Sequence, residues 1–125
     1  MLALLTIALV ASLVMPWALP GRGRAMLEGE AQRVATFLRG ERDAALRSGA
    51  PSEARLDAAA HALRGGGGVL TLPPRLTLRM NGEVPGRIVF AADGRASAAA
   101  LRLSAGGASV LVTVRPYTGA VEIAP

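Results

Sequence analysis

The chain has 125 residues and no cysteine, enough for one small domain beyond its apolar start, and it excludes a disulfide framework, a thiolate metal site and a cysteine nucleophile. All 14 basic residues are arginine, against 9 acidic residues, and the net charge of +5 raises nucleic acid or an anionic membrane surface as partners. The arginines are scattered, however, and only the GRGR run at 21–24 is locally dense, which reads as a lipid-facing collar rather than a nucleic-acid tract.

Residues 1–19, MLALLTIALVASLVMPWAL, carry no charge, and their only polar side chains are Thr6 and Ser12. As a helix this stretch would run roughly 28 Å, close to the ~30 Å hydrocarbon core of a bilayer. Trp17 suits the headgroup layer, and Arg22 and Arg24 follow in water. A cleaved secretory signal would need a basic segment before the apolar run and a small-residue cleavage site after it, but the sequence starts apolar at Met1 and WALP at 17–20 is a poor cleavage context. A buried core helix would need more surrounding protein than this chain supplies. The stretch is therefore predicted to be a membrane anchor. Taken alone, Arg22 and Arg24 would place the remaining residues in the cytoplasm.

Pro16 and Pro20 predict a kink or break at the end of the anchor, loosened further by Gly21 and Gly23. Helical character returns over 25–48. Leu27, Ala31, Val34, Leu38 and Ala45 recur at three-, four- and seven-residue spacings and form one apolar stripe. Glu28 and Glu30 in the first turns and Arg47 in the last would complement the helix dipole, and Asp43 and Arg47 would form an i,i+4 pair. Gly49, Ala50 and Pro51 stop the helix.

Residues 52–64 are ambiguous: propensity favours a short helix, and a weaker pattern favours two strands with a turn near 57–59. His61, the single histidine, has no ligand or carboxylate cluster beside it and is read as a surface or packing residue. The four glycines at 65–68 lack the Gly-Lys-Ser/Thr of a phosphate loop and are expected to be a flexible connection. From Val69 the period becomes two. Strands are predicted at 69–72, 75–80, 87–90, 99–104, 108–115 and 120–124. Turns are predicted at Asn81 and Gly82, at Asp93 and Gly94, at Gly106 and Gly107, and at 116–119. Short strands at near-regular intervals read as an antiparallel meander, with the amphipathic stem as its cover.

No catalytic constellation emerges. The serines lack a nucleophile elbow, the carboxylates are dispersed, and neither a dinucleotide fingerprint nor a repeated calcium-loop pattern is present. Four aromatic residues leave few platforms for base stacking. No cofactor is expected, and the chain reads as a structural or assembly part.

An apolar N-terminal helix ending at a proline, an amphipathic stem and a small β-domain together resemble the type IV pilin-like proteins. The C-terminal half carries IVFAADG at 88–94, LRL at 101–103, Gly106 and Gly107, VTV at 112–114 and TGAV at 118–121. In this order they are similar to the minor pseudopilin H family of type II secretion. The resemblance implies an α+β pilin-like fold, with a long N-terminal helix packed on a small antiparallel β-sheet domain. It divides the chain into an assembly helix at 1–20, a stem at 21–50 and a periplasmic domain at 51–125, and it turns 52–64 into strands. The implied role is non-enzymatic, at or near the tip of a pseudopilus. The implied partners are the major and minor pseudopilins and the inner-membrane secretion platform, and the location is the inner membrane with the C-terminal domain periplasmic. Leu4, Leu5, Ile7, Leu9, Val10, Leu13, Val14 and Pro16 become the membrane and assembly residues. Phe90, Asp93, Gly94, Leu101, Leu103, Thr118 and Gly119 become the structural motif.

The family's basic leader, its glycine cleavage site for prepilin peptidase and its aromatic-Thr-Leu-x-Glu opening do not precede the apolar run. MLALLTI at 1–7 matches the segment that follows that glutamate, so Met1 is read as an internal methionine with a leader upstream. Such a leader would put positive charge on the cytoplasmic side and reverse the orientation inferred from Arg22 and Arg24. Two rival functions stand beside this one. The first is a minor type IV pilin that binds DNA through converging Arg75, Arg79, Arg87 and Arg95; the second is an unrelated single-pass membrane protein with a small β-domain. Residues 116–125 carry one glutamate and no arginine, which argues against a basic tail, so nucleic acid is the lesser expectation.

Overall fold

In the computed structural model the backbone is described from residue 2 to residue 124, and side-chain surroundings from residue 23 to residue 124. A single helix, α1 (Leu2–Ser48), precedes eight strands: β1 (Ser52–Asp57), β2 (Ala62–Gly65), β3 (Gly68–Thr71), β4 (Thr77–Gly82), β5 (Arg87–Phe90), β6 (Ala99–Ala105), β7 (Ala108–Val114) and β8 (Val121–Ala124). Helical assignment runs through Pro16 and Pro20, so the break considered there is replaced by one continuous helix. Glu28 and Glu30 consequently lie far from the helix start, where no dipole favours them. Glu28 instead faces Arg24 at 3.5 Å, and Glu30 faces Arg33 at 2.9 Å.

The predicted stripe is the buried one. Leu27, Ala31, Val34, Leu38 and Ala45 are all fully buried, joined by Ala35. Burial of each leucine or valine contributes about 1.5–3 kcal/mol relative to leaving it in water. The helix stops where glycine was expected to stop it: Gly49 takes φ 67, and its N–H donates to the Ala45 carbonyl at 3.0 Å, closing a left-handed cap. Asp43 and Arg47 do not form an ion pair. Arg47 Nε instead donates to the Asp43 backbone carbonyl at 3.4 Å.

The strands form two four-stranded antiparallel sheets, in the orders β3-β2-β1-β5 and β4-β6-β7-β8. This departs from a simple meander, because β1 pairs with β5 as well as with β2, and β4 pairs with β6 rather than with a sequence neighbour. Residues 52–64 are strands. Alanine and leucine favour a helix locally, but burial of Ala54 and Leu63 against the stem decides the outcome. The turn between β1 and β2 is closed by Asp57, whose Oδ1 accepts the Ala60 N–H at 3.2 Å, and it includes His61 at φ 48. The four glycines form a tight hairpin rather than a loose connection, with Gly65 opposite Gly68 in the ladder.

Asn81 and Gly82 are not a hairpin turn. Both lie in β4, opposite Ala100 and Ala99. A Cβ on Gly82 would lie 2.6 Å from the Ala98 carbonyl oxygen, so glycine is needed here for close backbone approach, not for a turn. The β6–β7 connection is the true two-residue hairpin, with Gly106 at φ 56 and Gly107 at φ 84. Strict alternation on β6 and β7 buries Leu101 opposite Val112 and Leu103 opposite Val110, and this face closes the core against α1 together with Ile88, Phe90 and Leu76.

Candidate functional site

Among the described residues the fold offers a helix-to-sheet scaffold and three surface features. The scaffold centres on consecutive residues of α1. Glu41 continues the 34, 38, 45 spacing of the apolar stripe and is only 5% exposed. Its carboxylate accepts from the Ser52 hydroxyl and, at 3.4 Å, from the Gly66 N–H, fixing the start of β1 and the glycine hairpin to the helix. Gly65 lies directly beneath it, and a Cβ there would lie 2.0 Å from Glu41 Oε1. Arg42 Nε donates to the Gly94 carbonyl at 3.3 Å, and Arg39 donates to the Val121 carbonyl at 2.9 Å.

The two motif turns, at Gly94 and Gly119, meet at Arg42. Phe90, Leu101 and Leu103 lie in the core. Asp93 is exposed, and its Oδ1 accepts the Arg95 N–H at 3.0 Å, shaping the turn that puts Gly94 at φ 91. Thr118 Oγ1 accepts the Ala120 N–H at 3.2 Å and shapes the turn that puts Gly119 at φ 68. The two turns interlock. A Cβ on Gly119 would lie 2.1 Å from the Gly94 carbonyl oxygen and 2.8 Å from Arg42 Nε, while the Ala96 N–H donates to the Pro116 carbonyl at 2.9 Å. Gly119 is therefore demanded twice, by backbone conformation and by space, and Gly94 by its conformation.

The first surface feature is apolar: Gln32, Arg33, Thr36, Phe37 and Leu70 line a shallow groove between α1 and β3, and the neighbouring Val69 is 54% exposed. The second is Tyr117, 87% exposed on the turn before β8. The third is basic. Arg79 and Arg102 stand directly opposite each other on β4 and β6, and with Arg75, Thr77, Ser104 and Ser109 they line a groove of about 520 Å³. The four arginines expected to converge do not. Arg87 faces Glu53 at 3.4 Å on the first sheet, and Arg95 faces Asp93 at 3.3 Å. Only Arg75 and Arg79 of that set share a surface, and Arg102 completes it.

Leu4, Leu5, Ile7, Leu9, Val10, Leu13, Val14 and Pro16 lie outside the residues with described side chains, as does the whole stretch predicted to be the membrane anchor. Among the described residues, no helix is long and apolar enough to cross a membrane. Sequence reasoning missed Glu41, Arg42 and Arg102. A carboxylate falling on the apolar spacing at position 41 was the legible signal for the first; the other two depend on turns and strands distant in sequence.

No family model matches the chain, and no curated protein sequence matches it significantly. Among solved structures, the minor pseudopilin EpsH of the type 2 secretion system of Vibrio cholerae superposes with a TM-score of 0.66 at 18% identity, covering 78% of this chain and 95% of that one. The type IV minor pilin FimU of Pseudomonas aeruginosa superposes with a TM-score of 0.63 at 16% identity, covering 82% of this chain and 90% of that one. At these identities the likeness is one of fold, and the fold is the pilin-like α+β arrangement of a long N-terminal helix on antiparallel sheets.

Proposed function

We propose that the chain is a non-enzymatic minor pseudopilin, a subunit at or near the tip of a type II secretion pseudopilus that assembles with the other pseudopilins above the inner-membrane platform. The observation that carries this is the likeness to EpsH over nearly the whole of that chain, at a helix-and-two-sheet arrangement held by the motif turns on Arg42. The sequence adds an uncharged stretch at 1–19, long enough to span a bilayer and to bundle with neighbouring helices while the β-domain stays outside. The assembly residues on it are Leu4, Leu5, Ile7, Leu9, Val10, Leu13, Val14 and Pro16, with prepilin peptidase acting on a leader upstream. The groove at Phe37 and Leu70 supplies a lateral contact for a neighbouring subunit.

A minor pilin of a type IV pilus is the second reading, supported by the nearly equal likeness to FimU. Co-purification of the full chain in detergent with the other minor pseudopilins of the same organism separates the two. A stoichiometric complex that survives salt is expected. Absence of that complex, with capture of the pilus minor pilins instead, would overturn the secretion assignment.

A further inference from the structure

The basic groove has features that subunit packing leaves unexplained. Among the described residues, Arg75, Arg79 and Arg102 have no carboxylate within ion-pair range, whereas the other arginines of the strands and their adjoining turns are paired. Arg79 and Arg102 are cross-strand neighbours, a like-charge placement that weakens a ladder unless an anion screens it. Three hydroxyls, from Thr77, Ser104 and Ser109, line the same groove and supply donors for phosphate oxygens.

The groove's place in the fold identifies its partner. Arg75 and the Gly106–Gly107 hairpin also line a second groove with Gly23, Arg24 and Met26 of α1, so the two grooves form one basic surface at the base of the domain. The helix continues N-terminally from this point, and the uncharged stretch ends at Leu19. Arg24 is five positions on from Leu19, about 7.5 Å along a helix axis. From the hairpin tip, Arg102 is four residues up β6, about 13 Å of strand. Arg24 and the hairpin end of the surface then lie within about one Debye length, ~8–10 Å, of the headgroup layer, and Arg79 and Arg102 within about two, so the pull of anionic lipids is strongest at the base and weakens up the sheet.

We infer that this base is a docking surface for anionic phospholipid headgroups, with Arg75, Arg79 and Arg102 contacting phosphates and Arg24 at its rim. It holds the domain against the bilayer before the subunit is lifted into a filament. The inference rests on the proposed membrane anchoring of 1–19.

The chain contains no cysteine and one tryptophan, Trp17, which provides two independent reporters. The full chain carrying Ala124→Cys with a fluorophore, at an exposed β8 position that lines neither groove, is placed in nanodiscs of phosphatidylcholine alone or mixed equally with phosphatidylglycerol. Headgroup-borne quenchers report docking at position 124; brominated acyl chains report insertion of Trp17. Docking is expected to rise with phosphatidylglycerol, to fall with salt, and to drop about tenfold in docked-to-undocked ratio in Arg75→Gln/Arg102→Gln, given the attraction expected per arginine near an anionic surface and its fall with distance. Trp17 quenching with docking that ignores lipid charge and the double substitution would overturn the inference and leave the anchor standing. Docking on anionic discs without Trp17 quenching would uphold the surface and remove the anchor. Absence of both signals would overturn both. Retention of inorganic phosphate or duplex DNA by a chain that ignores the lipid would overturn the lipid assignment and name the alternative source.

Discussion

On the first sheet every arginine finds a carboxylate: Arg55 and Arg87 both face Glu53, and Arg64 faces Asp57 at 3.1 Å. On the second sheet Arg79 and Arg102 face each other, and the charge pairing is confined to Arg115, just beyond β7, with Glu122 at 3.2 Å. Exposed pairs of this kind contribute about 0–1 kcal/mol each, so the contrast is not a difference in how firmly the sheets are held. It is a difference in field: one outer surface is locally neutralised, and the other presents unpaired positive charge. Their attachment to the helix differs as well. Glu41 fixes the glycine hairpin of the first sheet through a side chain, whereas Arg42 lies over the seam between the sheets, where the limiting contact is backbone on backbone.

The largest expected effect breaks that seam. Gly119→Ala places a Cβ 2.1 Å from the Gly94 carbonyl oxygen at φ 68, so a backbone must move and a left-handed conformation must be held by a residue that disfavours it. We predict a loss of about 2–4 kcal/mol, combining strain and overpacking. Urea unfolding of the folded chain measures it. Because the obstructing atom belongs to the backbone, adding Arg42→Ala restores little of the loss; recovery to near wild-type stability in the double variant would show that the arginine side chain, not the carbonyl, sets the limit.

Gly65→Ala tests the side-chain attachment and should cost less, about 1–2 kcal/mol. The atom in the way is Glu41 Oε1, the far end of a side chain that can swing aside by giving up its bonds to Ser52 and Gly66. The two substitutions are therefore coupled. Glu41→Ala alone leaves the Gly66 N–H and the Ser52 hydroxyl without their acceptor, but in the Gly65→Ala background it removes the clash, so the double variant should lose less than the sum of the singles. Strict additivity would mean that the carboxylate does not occupy the space above Gly65.

Most of this architecture was legible where sequence and packing agree. The stem stripe from Leu27 to Ala45, the alternation on β6 and β7 and the glycine turns at 93–94 and 106–107 were each written in local periodicity. The failures share a cause: the deciding contact was remote in sequence. Asn81 and Gly82 carry a strong turn signature, but Gly82 answers to Ala98 and Ala99 across the ladder. Residues 52–64 have helical propensity, but β1 finds its second partner in β5, more than thirty residues on by the Arg55–Arg87 register. Of the candidate site, the motif glycines were visible and their meeting place was not, because Arg42 belongs to an element whose visible pattern was its apolar face. The partitioning of the arginines followed register alone: Arg79 and Arg87 look alike in sequence, and only the sheet assignments pair one with Glu53 and the other with Arg102.

The smallest effect sharpens the contrast in charge. The Arg64 guanidinium, bonded to Asp57 Oδ2, holds the Asp57 carboxyl below the ordinary aspartate range, with the Ala60 N–H adding to the effect. A carboxyl lowered in the folded state stabilises at pH values above its unfolded value, about 3.9, and that contribution is lost as pH falls through the folded value below it. Asp57→Asn keeps an acceptor for the Ala60 N–H and removes the charge, so it isolates the bond to Arg64. Thermal unfolding of the wild-type and variant chains should show a small difference at neutral pH that closes as the solution is acidified below pH ~4, the other carboxylates cancelling between the two. A difference that persists unchanged in acid would assign the effect to turn geometry and not to charge. The same substitution made against Arg64→Gln should then do nothing further at neutral pH, since the group whose field lowered the carboxyl is already gone.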